Sequence, residues 1–179
     1  MALDPWSYAS KTRNEHAEQV ALFMWANMAR NFGPIIAADP NSYNIAGFAK
    51  TQFDNAGQLG YKTFSAPIPE LKWLHAIANQ GHGDAIRGAK SKAEGVKAGV
   101  ADIFLPVVRP SKYGGTYAAC WAHGFYIELK RLDSKGKPKG RPSEVQLEFR
   151  TDMRAAGYEH EVIYGWELAR DAILRYLGR

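Results

Sequence analysis

The feature that most constrains the fold of this chain is a pair of short apolar runs that each carry one acid, Ala101-Asp102-Ile103-Phe104-Leu105 and Phe125-Tyr126-Ile127-Glu128-Leu129-Lys130. In the second run Phe125, Ile127 and Leu129 alternate with Tyr126, Glu128 and Lys130. An extended backbone sends alternate side chains to opposite faces, so this period of two predicts a strand with one apolar face and one face that sets Glu128 beside Lys130. If the first run pairs with the second, directly opposed side chains stand about 4.5 to 5.5 Å apart at Cβ, close enough for Asp102 and Glu128 to share one cation. Two such carboxylates cannot both stay ionised without a counter-charge. Mg²⁺ or Mn²⁺ supplies it with all-oxygen coordination and leaves positions for water and a phosphate, which Lys130 would also face. The same spacing describes an ordinary strand with a solvent-facing Glu-x-Lys pair, and spacing alone does not separate the two.

The runs belong to a longer ordered set: Gly99-Val100-Ala101-Asp102, then Ile127-Glu128-Leu129-Lys130, then Ser143-Glu144-Val145-Gln146. This set resembles the VRR-NUC domain of the PD-(D/E)XK nuclease superfamily, whose pattern is close to GVPD, IELK and SPEQ ahead of a helix. The resemblance places Asp102, Glu128 and Lys130 on catalytic positions and Gln146 on the downstream glutamine. It implies Asp102 and Glu128 as metal ligands, the Leu129 backbone carbonyl as a third, and Lys130 as the group that orients the attacking water or stabilises charge on the phosphate. Ala101 replaces the family's proline and Val145 interrupts the Pro-Glu of SPEQ, but neither change removes a ligand. The family also carries a glutamate on its first helix ahead of an apolar stretch and a Trp. Glu18-Gln19 with Trp25 fits that setting, which makes Glu18 the expected holder of a metal-bound water or a second ion, with Glu15 as its rival. Both glutamates would equally complement the positive N-terminal end of a helix dipole.

Composition adds limits. At 179 residues the chain is the size of one domain, with 46% hydrophobic and 23% charged residues in ordinary globular proportion. The 23 Lys and Arg against 18 Asp and Glu leave a net charge of +5, which favours a polyanion partner. The single Cys120 excludes an intrachain disulfide framework and a cysteine-based zinc site and favours a reducing compartment. Beside Trp121 and near His123 it reads as a small buried hydrophobe rather than a nucleophile. Asp4 and Pro5 interrupt the N-terminus, and no run of 18 apolar residues exists, so neither secretion nor a membrane is signalled. A soluble cytoplasmic protein is expected, and the resemblance adds a bacterial or phage-infected cell as its setting. The five histidines lack the close pairing of a zinc helix motif, and no Gly-rich phosphate loop is present.

Along the chain, Asn14 caps a helix that runs to about Asn31, with Ala17, Val20, Ala21, Met24 and Met28 as its buried stripe and Glu15, Glu18, Gln19 and Leu22 on a neighbouring face. Residues 35–69 lose periodicity and read as an insertion, whose Tyr43, Phe48, Phe53, Tyr61 and Phe64 either cover the core or stack on unpaired bases. A strand from Leu71 to Ala78 leads to a turn, Asn79 to Gly83, that resembles the family's Pro-Asn-Gly-Gly. A short helix from Ala85 to Glu94 follows, closed by Gly95. Arg87, Lys90, Lys92 and Lys97 on and after it are candidate phosphate contacts. Pro106 to Gly124 reads as a flexible excursion. Arg131, Lys135, Lys137, Lys139 and Arg141 lie in a mobile basic loop that either contacts DNA or solubilises a linker. Ser143 and Gln146 form a capping box ahead of a stripe of Val145, Phe149, Met153 and Ala156, so capping and the site compete for the Gln146 amide. Tyr158 to Tyr164 reads as a strand, and Trp166 to Leu177 as a helix with Trp166, Ala169, Ile173 and Leu177 inward.

The element order αβαββαβα predicts an α/β fold, a single mixed β-sheet flanked by helices, in one domain over 1–179 with the insertion at 35–69. The resemblance implies a PD-(D/E)XK restriction-endonuclease-like core. It further implies a Mg²⁺- or Mn²⁺-dependent, structure-selective deoxyribonuclease that hydrolyses phosphodiester bonds of branched DNA, a Holliday junction or a flap, in replication, recombination or repair. A symmetric junction would suit a homodimer. The alternative is a catalytically silent nucleic-acid-binding module that uses the same basic surface.

Overall fold

The computed structural model describes residues 4–12, 14–43, 66–78, 90, 92–111 and 121–179. Its strands are β1 (His75–Ala76), β2 (Ile103–Leu105), β3 (Arg109–Pro110), β4 (Trp121–Ala122), β5 (Phe125–Lys130) and β6 (Glu159–Tyr164). Its named helices are α1 (Pro5–Thr12), α2 (Glu15–Phe32), α3 (Pro34–Ala37), α4 (Glu144–Ala155) and α5 (Trp166–Leu177). The main sheet has the order β1-β2-β5-β6. β1 and β5 each run antiparallel to β2, with Ile103 opposite Ile127 and Phe104 opposite Tyr126, whereas β6 runs parallel to β5. A parallel neighbour cannot be reached by a tight hairpin, and α4 supplies the crossover. The expected mixed sheet flanked by helices is therefore present.

One sheet face carries the apolar core. Phe125, Ile127 and Leu129 with Ile103 and Leu105 pack against α2 and α5, and the Phe125 and Tyr176 rings stack at 5.0 Å. The α5 positions expected inward, Trp166, Ala169, Ile173 and Leu177, are all buried. Asn14 caps α2 by accepting from Ala17 N–H, as its position suggested. The stripe of α2 is turned by about one residue from the expected one: Glu18, Leu22, Trp25 and Ala29 go inside with Ala17, Ala21 and Ala26, while Val20, Met24 and Met28 are half-buried. Trp25 and Leu22 offer the larger continuous apolar surface, and burying it outweighs the cost of carrying Glu18 inward with them.

The other sheet face lies under α4, and none of the α4 residues is buried. The buried stripe expected there does not form: Val145 is 49% exposed and Ala156 is exposed. Only Phe149 lies against rings, those of Tyr126 at 5.2 Å and His160 at 5.9 Å. This face carries Tyr126, Glu128 and Lys130, so a polar and aromatic surface is what α4 covers, and it has little apolar area to bury there.

Several loops also depart from expectation. Pro5 opens α1, and Asp4 accepts from the N–H and the hydroxyl of Ser7, so the N-terminus is helical where the sequence showed only an interruption. The strand expected over 71–78 shrinks to β1, because Pro69 opens a 3₁₀ turn, Pro69–Trp73, that consumes its first half. The 106–124 excursion is anchored at its base by the β3–β4 ladder, and Cys120 lies outside the described residues. The basic loop is an ordered hairpin: Asp133 accepts from the N–H groups of Lys135 and Lys137, both at 2.8 Å, and Lys139 N–H reaches Arg131 O at 3.1 Å. Tyr43 is buried and donates its hydroxyl to Ala37 O, so it covers the core, while Phe48, Phe53, Tyr61, Phe64 and the turn over 79–83 lie outside the described residues. Among the described residues no helix is long and apolar enough to cross a membrane.

Gly99 ties the loop before β2 to α4. It holds φ +83°, and a Cβ there would stand 2.5 Å from Val145 Cγ1 and 2.9 Å from the Val145 backbone, while Gly95, at φ +90°, has nothing within 4 Å. Both alanine variants place a side chain in left-handed backbone, a cost of about 1–2 kcal/mol. Gly99→Ala is expected to cost at least about 1 kcal/mol more than Gly95→Ala in urea unfolding, because it also overpacks the loop against α4. Equal costs would mean that the loop does not seat on α4.

Candidate active site

Asp102 stands one residue ahead of β2, and the antiparallel register that sets Ile103 opposite Ile127 brings it alongside Glu128. Its Oδ2 accepts from Leu129 N–H at 2.9 Å, so a side chain continues the ladder where the β2 backbone leaves it. The Lys130 carbonyl on the next residue accepts from Gly165 N–H on the β6 side. Alternate residues of a strand present both backbone groups to opposite edges, so the Leu129 carbonyl faces the Asp102 edge.

Glu128 is fully buried. Its Oε1 accepts from Lys130 Nζ at 2.6 Å and from Gln146 Nε2, while its Oε2 is buried with no donor. Burial and then the Asp102 charge, against the pull of Lys130, push the Glu128 carboxyl up to about 7, and the two acids lie close enough for a proton to bridge them. Burial alone would lower Lys130, yet the hydrogen bond and charge of Glu128, with Glu15 and Asp102 behind them, raise it above the ordinary lysine value and keep it cationic. Among the described residues no three His, Cys, Asp or Glu side chains form a ready metal cage. The donor set is two carboxylates and a backbone carbonyl, all hard oxygens, with one buried oxygen lacking a donor. That fits a Mg²⁺- or Mn²⁺-type ion that keeps water in its shell.

The Gln146 amide makes two contacts at once. Its Oε1 accepts from Ser143 N–H at 2.8 Å to close the capping box, while its Nε2 donates to Glu128, because an amide has two ends. The acid from α2 is the point of difference. Glu18 is 6% exposed and accepts from Trp166 N–H at 2.9 Å and from the Leu132 N–H, with burial raising its carboxyl above the usual range. Gly165 offers α5 no side-chain cap, and Glu18 supplies the missing acceptor. Its carboxylate is therefore turned toward the start of α5, whereas Glu15, on the exposed face of α2, reaches Lys130 at 3.6 Å.

The cationic residues divide by position. Gly140 lies over the Lys130 stem, where a Cβ would be 3.7 Å from Lys130 Cδ and 3.8 Å from Glu15 Oε1. The hairpin thus leaves the sheet beside Lys130, and its Lys135, Lys137, Lys139 and Arg141 are exposed, while Arg131 is half-buried. Lys92 and Lys97 are exposed along an open recess of about 420 Å³, and exposed Lys90 stands 3.9 Å from Glu94. Arg87 lies outside the described residues. Gly99 is marked in the sequence by the Gly99–Asp102 motif, but its role in seating the loop on α4 is visible only in its positive φ and the approach of Val145.

The raised Glu128 carboxyl has a signed consequence. The native state binds a proton that the unfolded chain has lost, so its contribution to stability is whole below the ordinary glutamate value of 4.5 and is lost as pH rises through about 7. Without divalent ions, Tm relative to Glu128→Gln is expected to fall between pH 5.5 and 8. The rise in Tm on adding Mn²⁺ is expected to be larger at pH 8 than at pH 5.5, and a rise equal at both, or unchanged in Glu128→Gln, would contradict a cation held by this acid pair.

No family model matches the chain, and no curated protein matches it. A solved structure described as "VRR_NUC domain protein" is similar at 21% identity, over 72% of this chain and 86% of that one, with a TM-score of 0.46. A likeness this loose carries neither fold nor activity across.

Proposed function

We propose that the chain is a metal-dependent, structure-selective deoxyribonuclease that hydrolyses phosphodiester bonds in branched DNA, with Asp102, Glu128 and the Leu129 carbonyl holding Mg²⁺ or Mn²⁺. The observation that carries this reading is the buried, donorless Glu128 Oε2 beside Asp102, flanked by a buried lysine. A structural ion pair needs one carboxylate for one ammonium. Here a second carboxylate is brought alongside, at an electrostatic cost that only a proton or a cation relieves. The motif resemblance, GVAD and IELK with a downstream glutamine, supports the same assignment and a PD-(D/E)XK-like core.

The bound cation would supply Lewis acidity at the phosphate and a water of lowered pKa. The protein's own groups do the rest. The Leu129 N–H and Gln146 fix the two carboxylates in place. Lys130, charged and held between Glu128 and Glu15, presents an ammonium to the attacking water or to a phosphate oxygen. The exposed cations of the hairpin, with Lys92 and Lys97, hold the DNA backbone without reading sequence.

Asp102→Ala and Glu128→Ala are each expected to abolish cleavage while DNA binding is retained or improved, since each removes a ligand and a negative charge near phosphates. Lys130→Met keeps the stem and deletes the ammonium, and turnover is expected to fall at least about a hundredfold with Mn²⁺ binding intact. The assay uses linear, flap and four-way-junction DNA with Mg²⁺ or Mn²⁺. Cleavage that persists in EDTA would remove the metal mechanism, and binding without any cleavage would leave the silent binding module.

Replacing Lys135, Lys137 and Lys139 together with Gln is expected to weaken binding to all DNA sequences alike. The slope of log K against log salt should become shallower by about 0.9 for each duplex phosphate that the hairpin no longer neutralises. An unchanged slope would make the hairpin a bystander.

A further inference from the structure

Lys130 stands between two carboxylates that hold it differently. Its Nζ is 2.6 Å from Glu128 Oε1, a short charge-assisted hydrogen bond, and 3.6 Å from Glu15 Oε1, an ion pair too long to be a hydrogen bond. The ammonium is thus seated on Glu128, with a second acceptor within a small rotation of its stem. The Glu15 side chain is 50% exposed against 9% for Lys130, so its carboxylate has room to turn toward the ammonium.

That second seat is built where four elements meet. Glu15 opens α2, Lys130 ends β5, Gly140 lies on the returning arm of the hairpin, and Tyr164 ends β6 opposite Lys130 in the sheet register. Gly140 holds φ +90°, and a Cβ there would border both partners, 3.7 Å from Lys130 Cδ and 3.8 Å from Glu15 Oε1. The Tyr164 hydroxyl donates to the Gly140 carbonyl at 3.2 Å and pins this arm over the lysine stem. A residue without a side chain therefore keeps clear the space between the lysine and Glu15. Complementing the helix dipole accounts for an acid in the first turn of α2. It does not account for an acid that shares a buried lysine with another carboxylate beneath a pinned glycine. Glu18, the other acid of that turn, is engaged with the Trp166 and Leu132 N–H groups and does not compete for this place.

Charge decides what the second seat is for. Without a cation, Lys130 is the counter-charge of Glu128. Once Asp102 and Glu128 hold a divalent ion, an ammonium still on Glu128 faces a like charge at close range in a desolvated place. The acid pair then balances the ion by itself, and the ammonium needs a further carboxylate. Glu15 supplies it, so that three carboxylates balance one divalent ion and one ammonium.

We infer that Glu15 is the second seat of Lys130, to which the ammonium moves when the acid pair takes up a divalent cation, and that Glu15 is not itself a ligand of that cation. The inference rests on the cation site proposed above and deepens it. Glu15 is a positioning residue that acts through Lys130. In its second seat the ammonium releases Glu128 Oε1 and stands beside the hairpin that carries the exposed cations.

The test measures the Mn²⁺ affinity of the whole protein without DNA, from the electron paramagnetic resonance of the free ion, in wild type, Glu15→Gln, Lys130→Met and the double variant. Glu15→Gln is expected to weaken Mn²⁺ binding at least about fivefold, because the ammonium then stays on Glu128 and opposes the ion, a coupling of the size found between contacting groups. In the Lys130→Met background the same Glu15→Gln change is expected to alter affinity less than about twofold, since a separate exposed charge is screened by salt. Equal weakening in both backgrounds overturns the inference, because Glu15 then acts on the cation itself. No weakening in either background also overturns it. Both of these outcomes leave the cation site and the nuclease reading standing. Wild-type protein that takes up no Mn²⁺, or Mn²⁺ that binds Glu128→Gln as tightly as wild type, defeats the cation site and this inference together.

Discussion

The hydrogen bond from Leu129 N–H to the Asp102 carboxylate is the constraint on which the rest of the site depends. It closes the β2–β5 ladder with a side chain at the point where the β2 backbone turns away, and so delivers a second acid to a face that already holds a buried one. Glu128 cannot relax out of this arrangement, because Lys130 and Gln146 both hold its other oxygen. The result is a concentrated negative charge in a desolvated place, countered among the described residues by the Lys130 ammonium.

The surrounding structure serves to hold that charge. Gly99 lets the loop before β2 touch the first turn of α4, and that turn carries Gln146 to Glu128. Glu18 binds the start of α5 and the backbone of Leu132, which fixes the base of the hairpin next to Lys130. Two glutamates three residues apart on α2 thus divide the work. The inward one joins elements of the fold, and the outward one reaches the site lysine.

The two sheet faces divide a different task. Phe125, Ile127 and Leu129 meet α2 and α5 in a dry core that supplies most of the apolar burial. Tyr126, Glu128 and Lys130 lie under α4, which contributes almost no apolar area. The dry core and the acid and lysine cluster are kept on opposite sides of one strand. A buried carboxylate pair is therefore tolerable here, because the helices that hold the sheet together do not depend on that face.

Alternation in the Phe125–Lys130 run determined the central strand, its dry face and the pairing of Glu128 with Lys130, because period-two geometry is local. Asn14 and the Ser143–Gln146 box determined two helix starts for the same reason: a cap reaches no further than three residues. Trp166 to Leu177 likewise carried its inward face in its own spacing. What only the tertiary structure decided are matters of long-range competition. Which turn of α2 goes inside depended on Trp25 and Leu22 finding the larger apolar partner, and this sent Glu18 to α5 and left Glu15 to Lys130. The α4 stripe read as core by period alone, yet the surface beneath it was polar and aromatic, so it stayed open. The row of His75, Phe104, Tyr126 and His160 across the sheet joins residues far apart in the chain and exists only through strand register. No local rule relates those four rings, since register is set by the whole sheet and not by any one strand.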